Sequence, residues 1–182
     1  MDKKLYEKKI SSRQIFNGVI LGLSFDKVTL PNGKTASREK ITHPGAVGVV
    51  AVTDEDEILL VRQFRYPVND ITIEIPAGKL DRDELPENCA KRELAEEVGA
   101  VDGVLRLLSS FYTTPGFCDE VLHLFMATGF KISNNNPDED EFLEIIKIKL
   151  ETALLWIKEG KIKDSKTIIG ILMARDLLSD EQ

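Results

Sequence analysis

Apolar and polar residues alternate along short segments at the start of this chain, a pattern typical of strands with one buried face. These segments are rich in branched and aromatic residues, and turn residues separate them. A hairpin turn is predicted at Pro31–Lys34, where asparagine and glycine follow proline. We therefore expect residues 1–42 to form a small antiparallel sheet of their own, with strands at Ile15–Gly22, Ser24–Leu30 and Thr35–Ile41.

The remaining residues, 43–182, mix strand-like and helix-like segments. Alternating or continuous apolar runs predict strands at Ala46–Thr53, Glu57–Phe64, Ile71–Ile75, Leu105–Tyr112, Glu120–Gly129 and Glu141–Lys149. One helix is predicted after Gly78, and two more at Leu150–Glu159 and Ser165–Leu178, the last one capped near Asp164 or Ser165. This order predicts an α+β fold in which a mixed sheet lies between helices, as an α/β/α sandwich.

The charge of the chain disfavours polyanionic partners. Its 182 residues carry a net charge of -7, and the pI is near 5.0. Surfaces that bind nucleic-acid backbones or anionic membranes are built from clustered lysine and arginine. No stretch has the length of an apolar transmembrane span, and the first residues lack the apolar core of a secretion signal. We therefore expect no nucleic-acid or membrane partner and a cytoplasmic location.

Cysteine and histidine residues are too few and too scattered to predict a zinc or redox site. Cys89 and Cys118 form no closely spaced pair, and His43 and His123 are also far apart in the sequence. We expect both cysteines to be buried free thiols.

The segment from Gly78 to Ala100 carries the clearest chemical signal. Five residues separate Gly78 from Glu84, and seven more precede the sequence Arg-Glu-Leu-Ala-Glu-Glu-Val-Gly. Residues three and four apart share one face of a helix, so the glutamates of this sequence can direct their carboxylates towards one point. Mg2+ prefers oxygen ligands and is usually held by a few carboxylates together with substrate phosphates. The spacing therefore predicts a metal site for phosphate chemistry, formed by Glu93, Glu96 and Glu97.

The flanks of this segment predict its local structure. Ala77–Gly78 is expected to break the preceding strand, because glycine adopts backbone angles that other residues avoid. Asp83 is expected to cap the helix, Pro86 to lie in its first turn and Gly99 to end it. Arg92 lies beside the acids, where its guanidinium can hold a glutamate through a two-point contact that lysine cannot make. The inner stripe of the helix is predicted to be Ala90, Leu94 and Val98.

The segment resembles, position by position, the signature of the Nudix hydrolases: glycine, five residues, glutamate, seven residues, then Arg-Glu-aliphatic-any-Glu-Glu-any-Gly and an apolar residue. Only Ala100 departs from it, because a larger aliphatic residue is usual at that position. The resemblance implies a Nudix fold over the predicted second domain and hydrolysis of a diphosphate with divalent metal ions. A solvated acidic helix face is the alternative interpretation, but it would not require the glycine and the arginine at these positions.

The resemblance also implies roles for individual residues. Glu93 and Glu97 are expected to bind the metal directly, Glu96 to support or share it, and the Ala77 carbonyl to contribute an oxygen. Glu84 is expected to orient a metal-bound water or the guanidinium of Arg92. The residues predicted to be catalytic within the segment are Arg92, Glu93 and Glu97.

Pieces outside this segment resemble the ADP-ribose pyrophosphatase branch of the family, and the resemblance covers nearly the whole chain. They are Arg38-Glu39, Gln63-Phe64-Arg65, Glu74-Ile75-Pro76-Ala77-Gly78, Thr114-Pro115-Gly116-Phe117, Glu120, Asp138-Glu139-Asp140-Glu141 and the stretch Glu159–Thr167. The branch implies cleavage of ADP-ribose to AMP and ribose 5-phosphate with Mg2+, although Mn2+ or another divalent ion is possible. It also implies a homodimer with exchanged N-terminal sheets, so that two chains form each site.

Roles in this branch extend the predicted site. The general base is expected at Glu139, with Glu141 or a glutamate of the signature helix as alternatives, and a solvated turn as the non-functional interpretation. Substrate contacts are predicted for Arg38, Glu39, Arg65, Glu120 and Phe16, with Phe25 as a second candidate for stacking on adenine.

Two other functions remain open from the sequence. A related hydrolase of GDP-mannose, NADH or an oxidised nucleotide would keep the same acids and change the pocket. A sensor that binds ADP-ribose without cleaving it would normally have damaged acids and an added DNA-binding domain, and neither is present in this sequence.

Overall fold

The computed structural model describes residues 2, 4–136 and 142–180, and the chain forms two compact units. The first unit contains the chain up to Gly45 together with Tyr112–Val121, and the second contains Ala46–Phe111 with the residues from Leu122 onward. The sequence pattern placed a boundary after residue 42 and did not join residues 112–121 to the N-terminal sheet. Two backbone hydrogen bonds make that connection: the N–H of Ile41 donates to the Phe117 carbonyl at 2.7 Å, and the N–H of Asp119 donates to the Ile41 carbonyl at 3.1 Å.

The first unit is built on a three-stranded antiparallel sheet in the order β1-β2-β3. The expectation of a strand at Ile15–Gly22 is wrong in position, because residues 18–21 form the turn that leads into the second strand. The real first strand begins earlier, in a run of polar residues exposed on both faces, and such a run shows no alternation. This first strand is therefore defined by its pairing with the second strand of the sheet and not by its own sequence pattern. The strands are β1 (Lys8–Asn17), β2 (Gly22–Thr29) and β3 (Thr35–Thr42).

The second unit contains a larger sheet, a two-stranded ribbon and the helices. Its strands are β4 (Ala46–Val52), β5 (Glu57–Arg65), β6 (Asp70–Glu74), β7 (Ala77–Lys79), β8 (Ala100–Val101), β9 (Val104–Tyr112), β10 (Val121–Thr128), β11 (Lys131–Ile132) and β12 (Leu143–Lys149). Its helices are α1 (Pro86–Val98), α2 (Leu150–Lys158) and α3 (Ser165–Asp180), and a 3-10 turn lies at Tyr66–Val68. The predicted strands and helices agree with these bounds within a few residues, whereas the short β7, β8 and β11 were not predicted.

The larger sheet is mixed, as the order of elements predicted. Its strands run in the order β12-β5-β4-β10-β9, with β4 parallel to β10 and antiparallel to β5. The strands β4 and β5 pair with each other only at Ala51–Leu59 and Val52–Ile58. Beyond that point β7 pairs with β4 and β6 pairs with β5, so the link Ile75–Pro76 lies where the two central strands separate.

Alternating side chains of β4 fill two cores, one on each face of the sheet. Val47, Val49 and Ala51 pack with Ala90 and Leu94 of α1. Val50 and Val52 belong to the opposite core, together with α2 and α3 residues that include Ala153, Ile171 and Ala174. The sheet therefore lies between helices, which confirms the α+β sandwich. None of the helices described is long and apolar enough to cross a membrane.

Candidate active site

The acidic segment folds around α1, which begins at Pro86 and ends at Gly99 in a left-handed conformation with φ of 67°. The predicted helix ends are therefore confirmed, but the predicted cap at Asp83 is wrong, because no side chain caps this helix. Asp83 instead lies in a turn with φ of 61°. The chain reverses there, and the backbone N–H of Glu84 donates to the carbonyl of Asp81 at 3.1 Å.

One face of α1 buries both apolar and acidic side chains. The predicted inner stripe of Ala90, Leu94 and Val98 is buried, as expected. Glu93 and Glu97 are also buried, with exposed fractions of 7% and 2%. A charged group removed from water to this extent costs free energy unless it is paired or hydrogen-bonded, so the neighbours of these carboxylates determine their state.

Gly78 provides the space for Glu93. A β-carbon built at Gly78 would lie 1.8 Å from Oε1 and 2.1 Å from Cδ of Glu93, so any other residue at this position would displace that carboxylate. The sequence interpretation attributed this glycine to backbone freedom and to a break in the strand. Both reasons are wrong, because Gly78 has no positive φ and pairs with Val47 as a member of β7. The close approach of a carboxylate is what requires glycine here.

Arg92 connects the glutamates of the segment. Its Nε and Nη2 donate to the two oxygens of Glu84 at 3.1 Å each, and its Nη1 donates to Glu93 at 2.7 Å and to Glu96 at 3.0 Å. These bonds, with the one to Glu84 first, raise the pKa of Arg92. The hydrogen bond from Arg92 is also the main reason that the pKa of Glu84 falls to about 2. Glu84 therefore orients Arg92 through a two-point contact, as expected.

Glu97 binds the backbone of the strand that precedes the helix. Its Oε2 accepts the N–H of Ala77 at 3.0 Å, which places the Ala77 peptide beside this carboxylate. Among the residues that the structure describes, no three histidine, cysteine, aspartate or glutamate side chains form a ready-made metal cluster. The donors gathered here are nevertheless carboxylate and carbonyl oxygens, which suit a hard divalent cation. The positive charge of Arg92 reduces the repulsion between the carboxylates of Glu93 and Glu96.

Arg65, a predicted substrate contact, is held by a carboxylate that the sequence interpretation did not select. Its Nε and Nη2 donate to the two oxygens of Glu74 at 2.8 Å each. Glu74 is only 2% exposed. The alternation of apolar residues along this strand does not predict that burial, because Glu74 lies at a polar position between Ile73 and Ile75. The pKa of Arg65 is raised, mainly by the hydrogen bond to Glu74 and also by the charge of Glu97. The negative charge of Glu97 on α1 therefore also favours the charged form of this guanidinium.

In the first unit, the structure brings Arg38 and Glu39 to a cleft of about 280 Å³. The guanidinium of Arg38 donates to both oxygens of Glu7, with the Nε bond at 3.0 Å. The cleft is lined by Asp26, Val28, Lys40, Pro115, Phe117, Cys118 and Asp119 as well.

The other predicted contacts of the first unit lie in two places. Glu120 accepts the hydroxyl of Thr113 at 2.6 Å, and its other oxygen lies 3.5 Å from Nδ1 of His43. That nitrogen accepts the N–H of Gly45 at 3.1 Å, so the two groups do not form an ion pair while Nδ1 is unprotonated. Phe16 is exposed on β1, whereas Phe25 is partly buried on β2. The substrate roles of these residues remain predictions.

Two further expectations concern residues elsewhere. Glu139 and Glu141 lie outside the described residues, so the choice of general base also remains a prediction. Both cysteines are free, as expected, but Cys118 is only partly buried. Burial is the main cause that raises the pKa of the Cys89 thiol to about 12.

Comparison with known proteins identifies relatives along nearly the whole chain. A family model described as the NUDIX domain matches residues 42–168. The chain is 47% identical over 173 residues to a methanol dehydrogenase activator of Bacillus methanolicus, with 94% of each protein covered. It is 46% identical over 171 residues to an ADP-ribose pyrophosphatase of Bacillus subtilis strain 168, covering 93% of this chain and 92% of that one. A crystal structure of an ADP compounds hydrolase covers 97% of both chains with a TM-score of 0.87 and 19% identity, which shows a shared fold.

Proposed function

The chain belongs to the Nudix family, and we propose that it hydrolyses the diphosphate bond of ADP-ribose to AMP and ribose 5-phosphate. The observation that carries the reaction class is the set of carboxylates that Arg92 and Gly78 hold together. The substrate is supported by the relatedness over nearly the whole chain to an ADP-ribose pyrophosphatase.

The residues of α1 and β7 would hold the metal. Glu93 and Glu97 are the proposed direct ligands, with Glu96 and the carbonyl of Ala77 beside them. Mg2+ is the proposed ion, and Mn2+ would satisfy the same oxygen donors. When bound, such an ion offsets the negative charge of the diphosphate and makes a water molecule more acidic.

The protein itself contributes charge and orientation. Arg92 keeps the carboxylates of Glu93 and Glu96 together, because its two-point contact with Glu84 fixes its plane. Arg65 is fixed in the same way by Glu74, so its remaining Nη1 can donate to a phosphate oxygen without first losing rotational freedom. Glu139 is the proposed general base that takes the proton from the attacking water.

Product identity tests this proposal. The purified protein would be incubated with Mg2+ and ADP-ribose, and in parallel with GDP-mannose, NADH and 8-oxo-dGTP, followed by chromatography of the products. We expect AMP and ribose 5-phosphate from ADP-ribose, and a loss of rate by about 100-fold or more for Glu97→Gln. Glu87→Gln is the matched control, because Glu87 lies on the same helix, where it is exposed and pairs with Lys91.

The other outcomes identify the alternatives. If the protein cleaves one of the other three substrates and not ADP-ribose, the proposed roles of the catalytic acids stand, but the proposed substrate contacts are rejected. Binding of ADP-ribose without cleavage, measured by calorimetry, would instead favour the sensor.

We further propose that the protein is a homodimer formed through the first unit. The strand β1 is exposed along its whole length, and it carries Ile10, Ile15 and Phe16, while Val19 and Ile20 are exposed in the turn that follows. Exposed apolar residues grouped in this way are typical of an interface. Exchange of the whole N-terminal sheet would bring Arg38 and Glu39, which lie on β3, to the site of the partner.

The dimer and its shared sites can be tested together. Light scattering after size exclusion should give twice the mass of 20.4 kDa. If each site uses two chains, a mixture of the inactive variants Arg38→Ala and Glu97→Gln should recover up to about one quarter of the activity after subunit exchange. A monomer, or no recovery in a mixed dimer, would reject shared sites.

A cytoplasmic location is proposed as well. It is supported by the two free cysteines, because reduced thiols are typical of that compartment. Fractionation of cells that express the protein would test it.

Activation of an alcohol dehydrogenase is a second candidate function. It is favoured by the 47% identity to the methanol dehydrogenase activator, which covers 94% of this chain. The test is the rate of methanol oxidation by the dehydrogenase of Bacillus methanolicus with and without this protein. An increase that Glu97→Gln abolishes would support activation through the hydrolytic site, and an unchanged rate would exclude it.

A further inference from the structure

A network of polar side chains lies at the first turn of α3. Asp164 caps this helix, since its Oδ2 accepts the N–H of Thr167 at 3.0 Å, as the sequence pattern predicted. The same oxygen accepts the Thr167 hydroxyl at 2.6 Å and lies 3.1 Å from the ammonium group of Lys166. One carboxylate therefore fixes two neighbouring side chains.

Thr167 connects this turn to the strand that precedes the catalytic segment. Its side chain is fully buried, and its hydroxyl accepts the N–H of Ile75 at 2.9 Å while it donates to Asp164. Ile75 is fully buried too, so its amide has no water as a substitute partner. Loss of the hydroxyl would leave that amide without a partner.

The link between β6 and β7 is held from three elements in succession. Thr167 of α3 accepts the Ile75 N–H, Val49 of β4 donates to the Pro76 carbonyl at 2.8 Å, and Glu97 of α1 accepts the Ala77 N–H. Peptide groups are planar and consecutive α-carbons keep a fixed spacing, so anchors this close together leave the backbone little freedom. The position of the Ala77 carbonyl thus depends in part on α3.

Lys166 acts on the second functional group, the guanidinium of Arg65. Its ammonium group contacts Oε2 of Glu74, and its side chain is only 14% exposed. Glu74 also accepts the Thr72 hydroxyl at 2.6 Å and the two bonds from Arg65. All the acceptor directions of this carboxylate are therefore used, and the plane of Arg65 is defined by it.

We propose that Thr167 and Lys166 are positioning residues, through which the first turn of α3 sets the Ala77 carbonyl and the Arg65 guanidinium respectively. The proposal rests on the metal-dependent hydrolysis of ADP-ribose proposed above. Each is assigned to act through a neighbour, Thr167 through the Ile75 amide and Lys166 through the Glu74 carboxylate.

Matched variants test the two halves separately. Thr167→Val keeps the shape of the side chain and removes the hydroxyl, and Thr167→Ser restores it. Lys166→Met keeps the aliphatic stem and removes the charge, while Lys163→Met is the control, because Lys163 is exposed and lies 3.9 Å from Asp70. For each variant, Mn2+ binding without substrate would be measured by electron paramagnetic resonance, together with kcat, KM and the unfolding midpoint in urea.

We expect a different result for each half. Thr167→Val should raise the dissociation constant of Mn2+ by about 10-fold, with Thr167→Ser close to the wild type. Lys166→Met should raise KM for ADP-ribose by about 5- to 10-fold and leave Mn2+ binding within about 2-fold, whereas Lys163→Met should change neither.

A purely structural role predicts another pattern. If Thr167→Val and Lys166→Met lower the unfolding midpoint while Mn2+ binding and KM stay at wild-type values, the proposal is rejected. Should Thr167→Val fail to fold, Lys166→Met and the exposed control still decide the second half. Failure of the hydrolytic function would give a different result. If the wild type does not cleave ADP-ribose but Thr167→Val still weakens Mn2+ binding, the proposed function is rejected and the positioning role of Thr167 is retained.

Discussion

Replacement of Glu74 by glutamine should reduce stability at neutral pH and have much less effect in acid. The carboxylate is buried and interacts with Arg65, Lys166 and Thr72. Burial is the largest single influence and would raise the pKa of Glu74, but the hydrogen bonds and charges of these partners together outweigh it. The result is a pKa lowered from 4.5 to about 2.

The size of the effect follows from this difference. Each pH unit of pKa change corresponds to 1.36 kcal/mol, so a fall from 4.5 to about 2 contributes about 3 kcal/mol to the free energy of unfolding. Because the pKa is lower in the folded state, this contribution is fully present above about pH 4.5 and is lost as the pH falls through about 2. By the same relation, about 1.5 kcal/mol should remain at pH 3.

The assay is urea unfolding of the wild type and Glu74→Gln at pH 7, 4.5 and 3. The difference between the two proteins isolates Glu74 from other titrating groups. Glu144→Gln is the matched control, because Glu144 also pairs with an arginine of β5, Arg62 at 2.6 Å, but is 67% exposed. An exposed pair contributes little, so this variant should stay close to the wild type. A Glu74→Gln difference that is small at pH 7, or that does not shrink towards pH 3, would refute the reasoning.

Three further outcomes follow from the site. Gly78→Ala should lower the rate of ADP-ribose hydrolysis by about 100-fold, because the new methyl group displaces the carboxylate of Glu93. The circular dichroism spectrum should stay unchanged, and a rate near that of the wild type would contradict this prediction. Arg92→Lys should lower kcat by about 10- to 100-fold, since lysine keeps the charge but cannot hold several carboxylates in one plane; the steady-state rate at saturating Mg2+ measures it. In native protein at pH 8, a thiol reagent such as DTNB should modify Cys118 but not Cys89, whose thiol is buried and has a pKa of about 12. Rapid modification of both cysteines would show that α1, which carries Cys89, opens in the native protein.

Local patterns predicted most of the elements of the second unit. Strands such as β5 and β10 are strongly apolar, and α1 and α3 have recognisable ends at Gly99 and Asp164. The first strand was misplaced because β1 is exposed on both faces, begins in a polar run without alternation and is defined by hydrogen bonds to β2. Asp83 was misassigned because the pattern of a helix cap and that of a turn use the same residue types.

The sequence by itself determined the chemistry of the site. The intervals between Gly78, Glu84, Arg92 and the following glutamates predict a metal site for phosphate chemistry, because a helix converts such spacing into one acidic face. The resemblance of the same intervals to the Nudix signature implies that the chemistry is hydrolysis. It also determined that this face belongs to an amphipathic helix beside a strand.

Only the tertiary structure decided how the groups are held. Contacts between residues distant in sequence, such as Arg65 with Glu74 and Ile75 with Thr167, leave no periodic signal along the chain. The reason for Gly78 is of the same kind, since it depends on a carboxylate from the next helix rather than on the glycine backbone. Such contacts arise where β4 and β5 separate and helices pack on both faces of the sheet, which no local pattern of residues encodes.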